Sequence, residues 1–226
     1  MSKNIIITGT SSGIGLELAK FFIKSKHNVL AISRNNSDLR SLNLKGLYAV
    51  DFDITNYERY NSLNKYLKNF ENVDVLINNA GLLVNKPFED TSLEDFQKVY
   101  STNVFSVAML TKFLIKRMNN RSNVVNISSI GGVEGTLKFP GLAAYSSSKG
   151  ALNILTEMLA EEYKEQGIHF NSLALGSVQT KMLNKAFPGF KASTSAQDMA
   201  KYIYDFSMEG YKLINGKVIS ISSTTP

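Results

Sequence analysis

The sequence predicts an α/β domain with a doubly wound, parallel, seven-stranded sheet and helices on both faces. Seven short runs rich in valine and isoleucine are apolar almost throughout, which is typical of strands covered on both faces. The stretches between them carry apolar residues at helical spacing, and such alternation requires right-handed crossovers between parallel strands. No composition shift, Ser/Gly-rich linker or internal repeat divides residues 1–226, so we expect a single domain.

The predicted strands follow one another at intervals that leave room for a helix in between. They are Asn4–Thr8, Asn28–Ser33, 47–53, 73–78, 123–128, His169–Leu175 and 217–222. In a sheet of this kind ligands bind at the carboxyl ends of the strands, where the strand order reverses. The loops that follow the strands are therefore where functional residues are expected.

Composition limits the class of protein. The 226 residues are 43% hydrophobic and 19% charged, which suffices for one sizeable core. No stretch approaches the ~18 uninterrupted apolar residues of a membrane span, and the chain enters an apolar strand at once, without a signal-peptide pattern. We therefore expect a cytoplasmic protein that does not enter a membrane.

The absence of cysteine excludes disulfides, thiolate catalysis and cysteine-ligated metals. His27 and His169 lie far apart and neither has a second ligand at suitable spacing, so no metal site is expected. The net charge of +6 comes mainly from lysines scattered along the chain, without a basic run or a groove-reading motif. We expect no nucleic-acid partner, and a small role of these lysines in attracting an anionic ligand.

A glycine-rich loop follows the first strand and opens a helix. It comprises Gly9, Thr10, Ser11, Ser12, Gly13, Ile14 and Gly15. Glycines permit a tight turn and close backbone approach, and the helix amino terminus offers unpaired N–H groups to a pyrophosphate. The Gly-x3-Gly-x-Gly spacing differs from Gly-x-Gly-x-x-Gly and no Gly-Lys-Ser/Thr follows, so on its own the loop is also consistent with a plain structural turn.

The other strand ends carry further polar motifs. Asn-Asn-Ala-Gly occupies 78–81, Asn103 lies inside an apolar helix, Ser129 ends the fifth strand, and Tyr145-x3-Lys149 opens the next helix. In this order, and together with Thr-Gly-x3-Gly-x-Gly, they resemble the short-chain dehydrogenase/reductase family over essentially the whole chain. The resemblance implies a single-domain Rossmann fold and an NAD(P)-dependent oxidoreductase. It also implies a homodimer or homotetramer formed through the helices near 93–118 and 145–163, whose apolar faces could equally belong to the core.

Tyr145 and Lys149 share a helix face, so the ammonium can lie close to the phenol. To act as an acid/base near neutrality, a tyrosine must lower its pKa from ~10 by about three units, or ~4 kcal/mol. A positive charge at ~5 Å supplies under ~1 kcal/mol in water and about 3 kcal/mol at an effective dielectric near 20. We therefore expect a pair sheltered from solvent, with an oxidised nicotinamide closing the remaining gap.

The implied reaction is hydride transfer to or from carbon, with Tyr145 exchanging the proton on oxygen. Ser129, rather than Ser128, would hydrogen-bond that same oxygen. The resemblance implies that Lys149 also holds the nicotinamide ribose and that Asn103 continues a proton relay through water. The alternatives are an ordinary exposed helix pair, a serine that only shapes its turn, and an internally satisfied asparagine.

The end of the second strand indicates which dinucleotide is bound. It reads Ser33-Arg34, with no carboxylate before Asp38, and a guanidinium with a nearby hydroxyl suits a 2′-phosphate. NADPH is therefore expected in preference to NADH, although NAD remains possible and Arg34 could be a plain surface cation. Asp53 matches the family position that contacts the adenine, or is a strand-end turn acid. The resemblance also assigns cofactor contacts to Asn79, Ala80, Gly81, Tyr145, Lys149, Gly176, Val178 and Thr180.

Two departures from the family pattern concern the substrate side. Leu175 stands where many relatives have proline, and the loop 130–144 is about three residues longer than in the simplest members, with Leu137, Phe139 and Leu142 either lining an apolar pocket or packing the loop. The segment after Thr180, up to about Ser195, is short, which favours an open site and a compact substrate. The substrate is expected to be a small carbonyl compound or secondary alcohol of unspecified kind.

Two other classes of function are weighed against this one. A serine hydrolase would need partner motifs that are absent, and Ile127 replaces the glycine of a nucleophile elbow. A non-catalytic dinucleotide-binding regulator of the same fold would need only the phosphate loop, whereas Tyr145, Lys149, Ser129 and Asn103 are all in place.

Overall fold

The computed structural model describes residues 2–222 and contains a seven-stranded parallel sheet. Its strands are β1 Asn4–Thr8, β2 Asn28–Ser33, β3 Leu47–Asp51, β4 Val75–Asn78, β5 Asn123–Ser129, β6 His169–Leu175 and β9 Lys217–Ile221; a separate parallel pair is formed by β7 Val178–Gln179 and β8 Thr194–Ser195. The order across the large sheet is β3-β2-β1-β4-β5-β6-β9. The order reverses between β1 and β4, so the predicted doubly wound fold is confirmed.

Strand boundaries differ from the predictions by a few residues. β3 ends at Asp51 instead of 53, because Phe52 and Asp53 turn away after a last backbone hydrogen bond from Phe52 N to Ser33 O. β4 begins at Val75 instead of 73, and β5 runs one residue further, to Ser129. The small β7–β8 sheet was not predicted.

Eight α-helices occur in the described part of the chain. They are α1 Gly13–Lys24, α2 Ser37–Arg40, α3 Asn64–Leu67, α4 Leu93–Tyr100, α5 Ser106–Leu114, α6 Ala143–Glu162, α7 Lys181–Ala186 and α8 Ala196–Met208. A π-helical turn, Ser101–Phe105, joins α4 to α5. A capping box between Ser92 and Asp95 starts α4. No helix within residues 2–222 is both long enough and apolar enough to cross a bilayer.

The sheet separates two hydrophobic cores, and β1 contributes to both. Ile5 and Ile7 belong to the core under α1 and α8, whereas Ile6 belongs to the opposite core under α5, and all three are fully buried. Successive strand residues point to opposite faces, so a strand covered on both sides must be apolar at every position. Each such isoleucine stabilises the fold by roughly 1.5–3 kcal/mol.

Candidate active site

The carboxyl ends of the central strands open into one large cavity of about 1030 Å³. Its wall includes residues from the loops after β1 to β6 and from α7. This is the edge of the sheet at which the strand order reverses. All predicted site residues except Thr10, Gly15 and Asn103 line this cavity.

The glycine-rich loop packs tightly against the segment that follows β4. Gly9 has φ of +73°, and a Cβ there would lie 2.7 Å from Ala80 Cα. A Cβ at Gly15 would lie 2.3 Å from Gly9 O, so both positions require glycine. The Asn79 side chain donates hydrogen bonds to Thr8 O at 2.9 Å and Gly9 O at 3.2 Å. The segment Asn79, Ala80 and Gly81 thus packs directly against the glycine-rich loop.

Within the loop, Ser11, Ser12, Gly13 and Ile14 line the cavity together with Gly9. Thr10 and Gly15 do not. Thr10 is fully buried, and its hydroxyl donates a hydrogen bond to Asn36 Oδ1 at 2.6 Å. Thr10 therefore shapes the loop from behind.

Asn36 is a residue that sequence reasoning missed. It is 1% exposed, and its amide donates to Ala31 O at 3.2 Å and Val50 O at 2.7 Å, which fixes the turn after β2 to the glycine-rich loop. Its sequence neighbour Asn35 is exposed, and no local pattern distinguishes the two asparagines.

The end of β2 lines the cavity through Ser33, which is buried, and Arg34, which is exposed. None of the ion pairs found among residues 2–222 includes Arg34. Its guanidinium is therefore available to an anion in the cavity. Asp53 also lines the cavity, but its Oδ1 accepts hydrogen bonds from Thr55 N and Thr55 Oγ1, at 2.9 and 2.8 Å. The structure thus gives Asp53 a turn-forming role beside its place on the cavity wall.

Ser129, Tyr145 and Lys149 come together at the cavity wall. Ser129 ends β5, and its Oγ accepts a hydrogen bond from Gly131 N at 3.2 Å. Tyr145 lies in the first turn of α6, and one turn later Lys149 is 4% exposed, with its Nζ 5.8 Å from the tyrosine ring centre. Lys149 Nζ donates to Ile127 O at 2.7 Å. Ser128 also lines the cavity, and its Oγ donates to the backbone carbonyl of Lys149 at 3.3 Å.

Burial dominates the electrostatics of this group. It raises the pKa of Tyr145 to about 12, although a hydrogen bond with the Ser129 side chain acts in the opposite direction. Burial also lowers the pKa of Lys149 to about 8. For the protein's own groups the expected net lowering of the phenol's pKa is therefore not found, because the loss of hydration outweighs the hydrogen bond with Ser129; the expectation that includes a bound nicotinamide stays a prediction.

Asn103 does not line the cavity. It is fully buried in the π-helical turn, where its Oδ1 accepts from Leu82 N at 2.8 Å and its Nδ2 donates to Leu82 O and Ser148 Oγ, at 3.0 and 2.9 Å. The side chain is internally satisfied, as one of the two sequence interpretations expected. It holds the loop at Gly81, where a Cβ would lie 3.6 Å from Asn103 Oδ1 and 3.8 Å from Lys149 Nζ.

The loop after β6 closes over the glycine-rich loop. Leu175, Gly176, Val178 and Thr180 line the cavity. Thr180 Oγ1 accepts from Leu183 N at 3.2 Å and so caps α7, while its methyl carbon lies 3.3 Å from the position of a Cβ on Gly13. Leu175, which replaces the proline of many relatives, is 6% exposed and packs in the core under α1 and α8.

A further part of the wall is apolar and comes from α7, the segment after it, and the loop before α6, while α4 and the π-helical turn add the polar Glu94, Gln97, Lys98, Ser101 and Thr102. Asn85, in the loop after β4, was not predicted as important, yet its Nδ2 donates to Ala186 O at 2.8 Å and ties the end of α7 across the cavity. The short segment after Thr180 therefore covers part of the cavity, and the hydrogen bond from Asn85 holds it in place.

Comparisons with known proteins agree with this geometry. A family model described as short chain dehydrogenase matches residues 3–189. The pig protein named carbonyl reductase [NADPH] 2 is 33% identical over 179 residues, covering 78% of this chain and 72% of the pig protein. Gluconate 5-dehydrogenase of Gluconobacter oxydans is 33% identical over 190 residues, covering 80% of this chain and 73% of that enzyme.

Two solved structures resemble nearly the whole chain. One is 4-hydroxyisoleucine dehydrogenase complexed with NADH, with a TM-score of 0.86 and 27% identity. The other is ElxO with NADP bound, with a TM-score of 0.85 and 32% identity. Each comparison covers 98% of this chain and 97% of the other.

Proposed function

The chain belongs to the short-chain dehydrogenase/reductase family, and on this premise we propose that it transfers a hydride between NADPH and a carbonyl compound or secondary alcohol. The family expected from the order of motifs is confirmed, and with it an NAD(P)-dependent oxidoreductase. The finer assignments, which are the cofactor preference, the substrate and the residue roles, are proposals.

The observation that carries the proposal is the convergence of Ser129, Tyr145 and Lys149 on a cavity that also contains the glycine-rich loop. In the direction of reduction, Tyr145 donates its hydroxyl proton to the carbonyl oxygen. With a pKa of about 12 the phenol is protonated at neutral pH, which is the form that this step needs. Ser129 Oγ accepts from Gly131 N, and its side chain also hydrogen-bonds Tyr145. We propose that its O–H turns from the phenol to the same substrate oxygen when the substrate binds.

Lys149 stabilises the phenolate that this proton transfer leaves. At the observed separation of 5.8 Å from the ring centre, a unit charge contributes about 3 kcal/mol at an effective dielectric near 20. We also propose that Lys149 holds the nicotinamide ribose. Asn103 acts by positioning the loop beside Lys149 and not as a proton donor, because its side-chain amide is occupied.

The residues of the glycine-rich loop fit the pyrophosphate of a dinucleotide. The Ser12 side chain makes no capping hydrogen bond at the start of α1, and no acidic residue occupies its first turn. The first N–H groups of this 12-residue helix are therefore left for an anion, with the helix dipole favouring negative charge. When bound, the nicotinamide of this cofactor supplies or accepts the hydride.

Arg34 and Ser33 support the preference for NADPH. A guanidinium without a carboxylate partner and a hydroxyl at the end of β2 favour a ribose 2′-phosphate over two ribose hydroxyls. Related structures contain either NADH or NADP, so the preference in this chain rests on its own residues.

We further propose a homodimer or homotetramer formed through α5 and α6. Phe105, the last residue of the π-helical turn, and Met109 of α5 are exposed four residues apart. Ile154 and Met158 are exposed four residues apart on α6. Exposed apolar stripes of this kind are typical of association surfaces.

The test of the proposed function is NADPH oxidation, measured by absorbance, against a panel of ketones, aldehydes and sugars. Tyr145→Phe should retain NADPH affinity within about twofold and lose turnover, because only the transferable proton is removed. Tyr202→Phe, in an exposed tyrosine of α8 outside the cavity, is the matched control and should keep full activity. NADPH binding without oxidation by any carbonyl would instead support the non-catalytic regulator.

A further inference from the structure

We infer that the substrate is an apolar ketone or aldehyde with an aliphatic chain or ring, and not a sugar or another polyhydroxylated molecule. This inference rests on the proposed function and adds the chemical class of its substrate. It is carried by the uneven chemistry of the cavity wall.

The cavity wall is richer in polar residues on one side and in apolar residues on the other. The ends of β1, β2 and β3 and the loops after them contribute Ser11, Ser12, Ser33, Arg34 and Thr55 to its wall. Because the sheet order places β3, β2 and β1 on one side and β5 and β6 on the other, these residues lie together. They suit the ribose and phosphate groups of a dinucleotide, which leaves the half beyond Ser129 and Tyr145 for the substrate.

The substrate half is lined by large apolar side chains that keep much of their surface uncovered. Phe139, Met182 and Phe190 line the cavity and are 42%, 41% and 50% exposed. Leu142 and Phe187 complete this wall. A concave surface of exposed aromatic and aliphatic groups is stabilised by a ligand that removes it from water.

The arrangement of α7 shows that its apolar side faces the cavity. Met182 and Leu183 of α7, and Phe187 directly after it, line the cavity, whereas Lys181 and Lys185 are exposed and are not part of the wall. Within the described chain, α7 therefore contributes apolar side chains to the cavity and places its charges in solvent. The hydrogen bond from Asn85 to Ala186 O keeps this apolar side over the cavity.

The polar side chains next to the reacting centre on this side are already engaged, and those further out on α4 are exposed to solvent. Ser129 and Tyr145 are required by the reacting oxygen, and the Thr180 hydroxyl caps α7. Glu94, Gln97 and Lys98 of α4 also line the cavity, but all three are exposed to solvent, and Glu94 pairs with Lys98 at 2.6 Å. In the π-helical turn, the Ser101 hydroxyl bonds to the Tyr57 hydroxyl at 2.8 Å. Each substrate hydroxyl that is buried without a partner weakens binding roughly 5- to 150-fold.

The experiment is a steady-state series with NADPH and 2-butanone, 2-hexanone and 2-octanone, compared with dihydroxyacetone and fructose. We expect kcat/KM to rise about three- to fourfold per added methylene. Fructose should fall at least 100-fold below 2-octanone. A flat chain-length series, or a preference for the hydroxylated carbonyls, would overturn the inference.

Variants test whether the preference for longer ketones comes from the apolar wall. Phe187→Ala should lower kcat/KM for 2-octanone about tenfold or more and that for 2-butanone less than threefold. Phe88→Ala, at a 72% exposed phenylalanine outside the cavity, is the matched control and should change neither. Equal losses on both ketones in Phe187→Ala would contradict the placement, and the wild-type series decides the substrate class if that variant does not fold.

Different results would overturn the proposed function and the proposed substrate class. Absence of NADPH oxidation with every carbonyl overturns the proposed function, and this inference with it. Efficient reduction of fructose or dihydroxyacetone overturns only the substrate class.

Discussion

Replacing Lys149 by methionine tests the electrostatic description of the site through stability, without any substrate. Burial lowers the pKa of Lys149 from 10.5 to about 8, so at neutral pH the fold holds an ammonium that would be better hydrated in the unfolded chain. The shift corresponds to a destabilisation of about 3 kcal/mol at pH 7. Methionine has a similar length, no charge and no need for hydration.

A second effect opposes this gain. Lys149 Nζ donates to Ile127 O at 2.7 Å, and its removal leaves that carbonyl without this donor, which costs about 1–3 kcal/mol. Lys149→Met should therefore be between equally stable and about 2 kcal/mol more stable than wild type at pH 7. The decisive quantity is how this difference changes with pH.

The sign follows from proton binding. Between pH 8 and pH 10.5 the unfolded wild-type chain holds the Lys149 proton more strongly than the folded chain, so the contribution of this lysine to stability rises with pH. From pH 7 to pH 9.5, wild type should gain about 2 kcal/mol relative to Lys149→Met.

Urea unfolding of the cofactor-free protein at pH 7 and pH 9.5 measures this double difference. Lys112→Met, which removes an exposed lysine of α5, controls for the general effect of losing a cation. If the stability difference between wild type and Lys149→Met is the same at both pH values, the assigned burial of the ammonium is wrong.

Three further predictions address the cofactor, the cover and the assembly. Arg34→Asp should weaken NADPH binding relative to NADH at least tenfold, through loss of a charge-assisted hydrogen bond and repulsion of the 2′-phosphate; an unchanged affinity ratio in a fluorescence titration would refute the role of the arginine. Asn85→Ala removes the bond to Ala186 and should raise KM for the ketone two- to tenfold at an unchanged Kd for NADPH, so a parallel rise in Kd argues against a local effect. Met158→Glu should lower the mass measured by light scattering, and an oligomer that survives it is not held by this face of α6.

The fold was predictable because burial on both faces of the sheet leaves a strong local signal. Ile5, Ile6 and Ile7 must all be apolar, and the intervening helices must bury one stripe each. The β7–β8 pair was not predictable, since two residues per strand carry no periodicity. The two strands pair because the chain comes back beside Val178 at Thr194, 16 residues later, and only the tertiary structure determines that return.

The main residues of the site were predictable from the sequence. Their burial, and the residues that hold the loops around them in place, were not. The spacing of Tyr145 and Lys149 determines that they share a helix face, but it does not determine how deeply they are buried, and the burial reverses the expected change in the pKa of the phenol. Asn36 and Asn85 act through partners that are remote in sequence, Thr10 and Ala186, at separations of 26 and 101 residues. Asparagine is common in loops for local reasons, so neither residue carries a signal of its own.

The opposite pKa shifts of Tyr145 and Lys149 have a consequence for the direction of the reaction. Before proton transfer, the buried pair carries a neutral phenol and a charged ammonium, and its net charge of +1 is the state that burial disfavours. Once the phenol has given its proton to a carbonyl oxygen, the pair is a phenolate beside an ammonium and has no net charge. The interaction between the two ions grows as water is excluded, whereas each ion alone is destabilised. Under the proposed mechanism, the destabilisation of the lysine in the resting protein is therefore relieved in the state that reduction produces. Proton donation by Tyr145 would then be favoured at a pH below about 8, where Lys149 is charged.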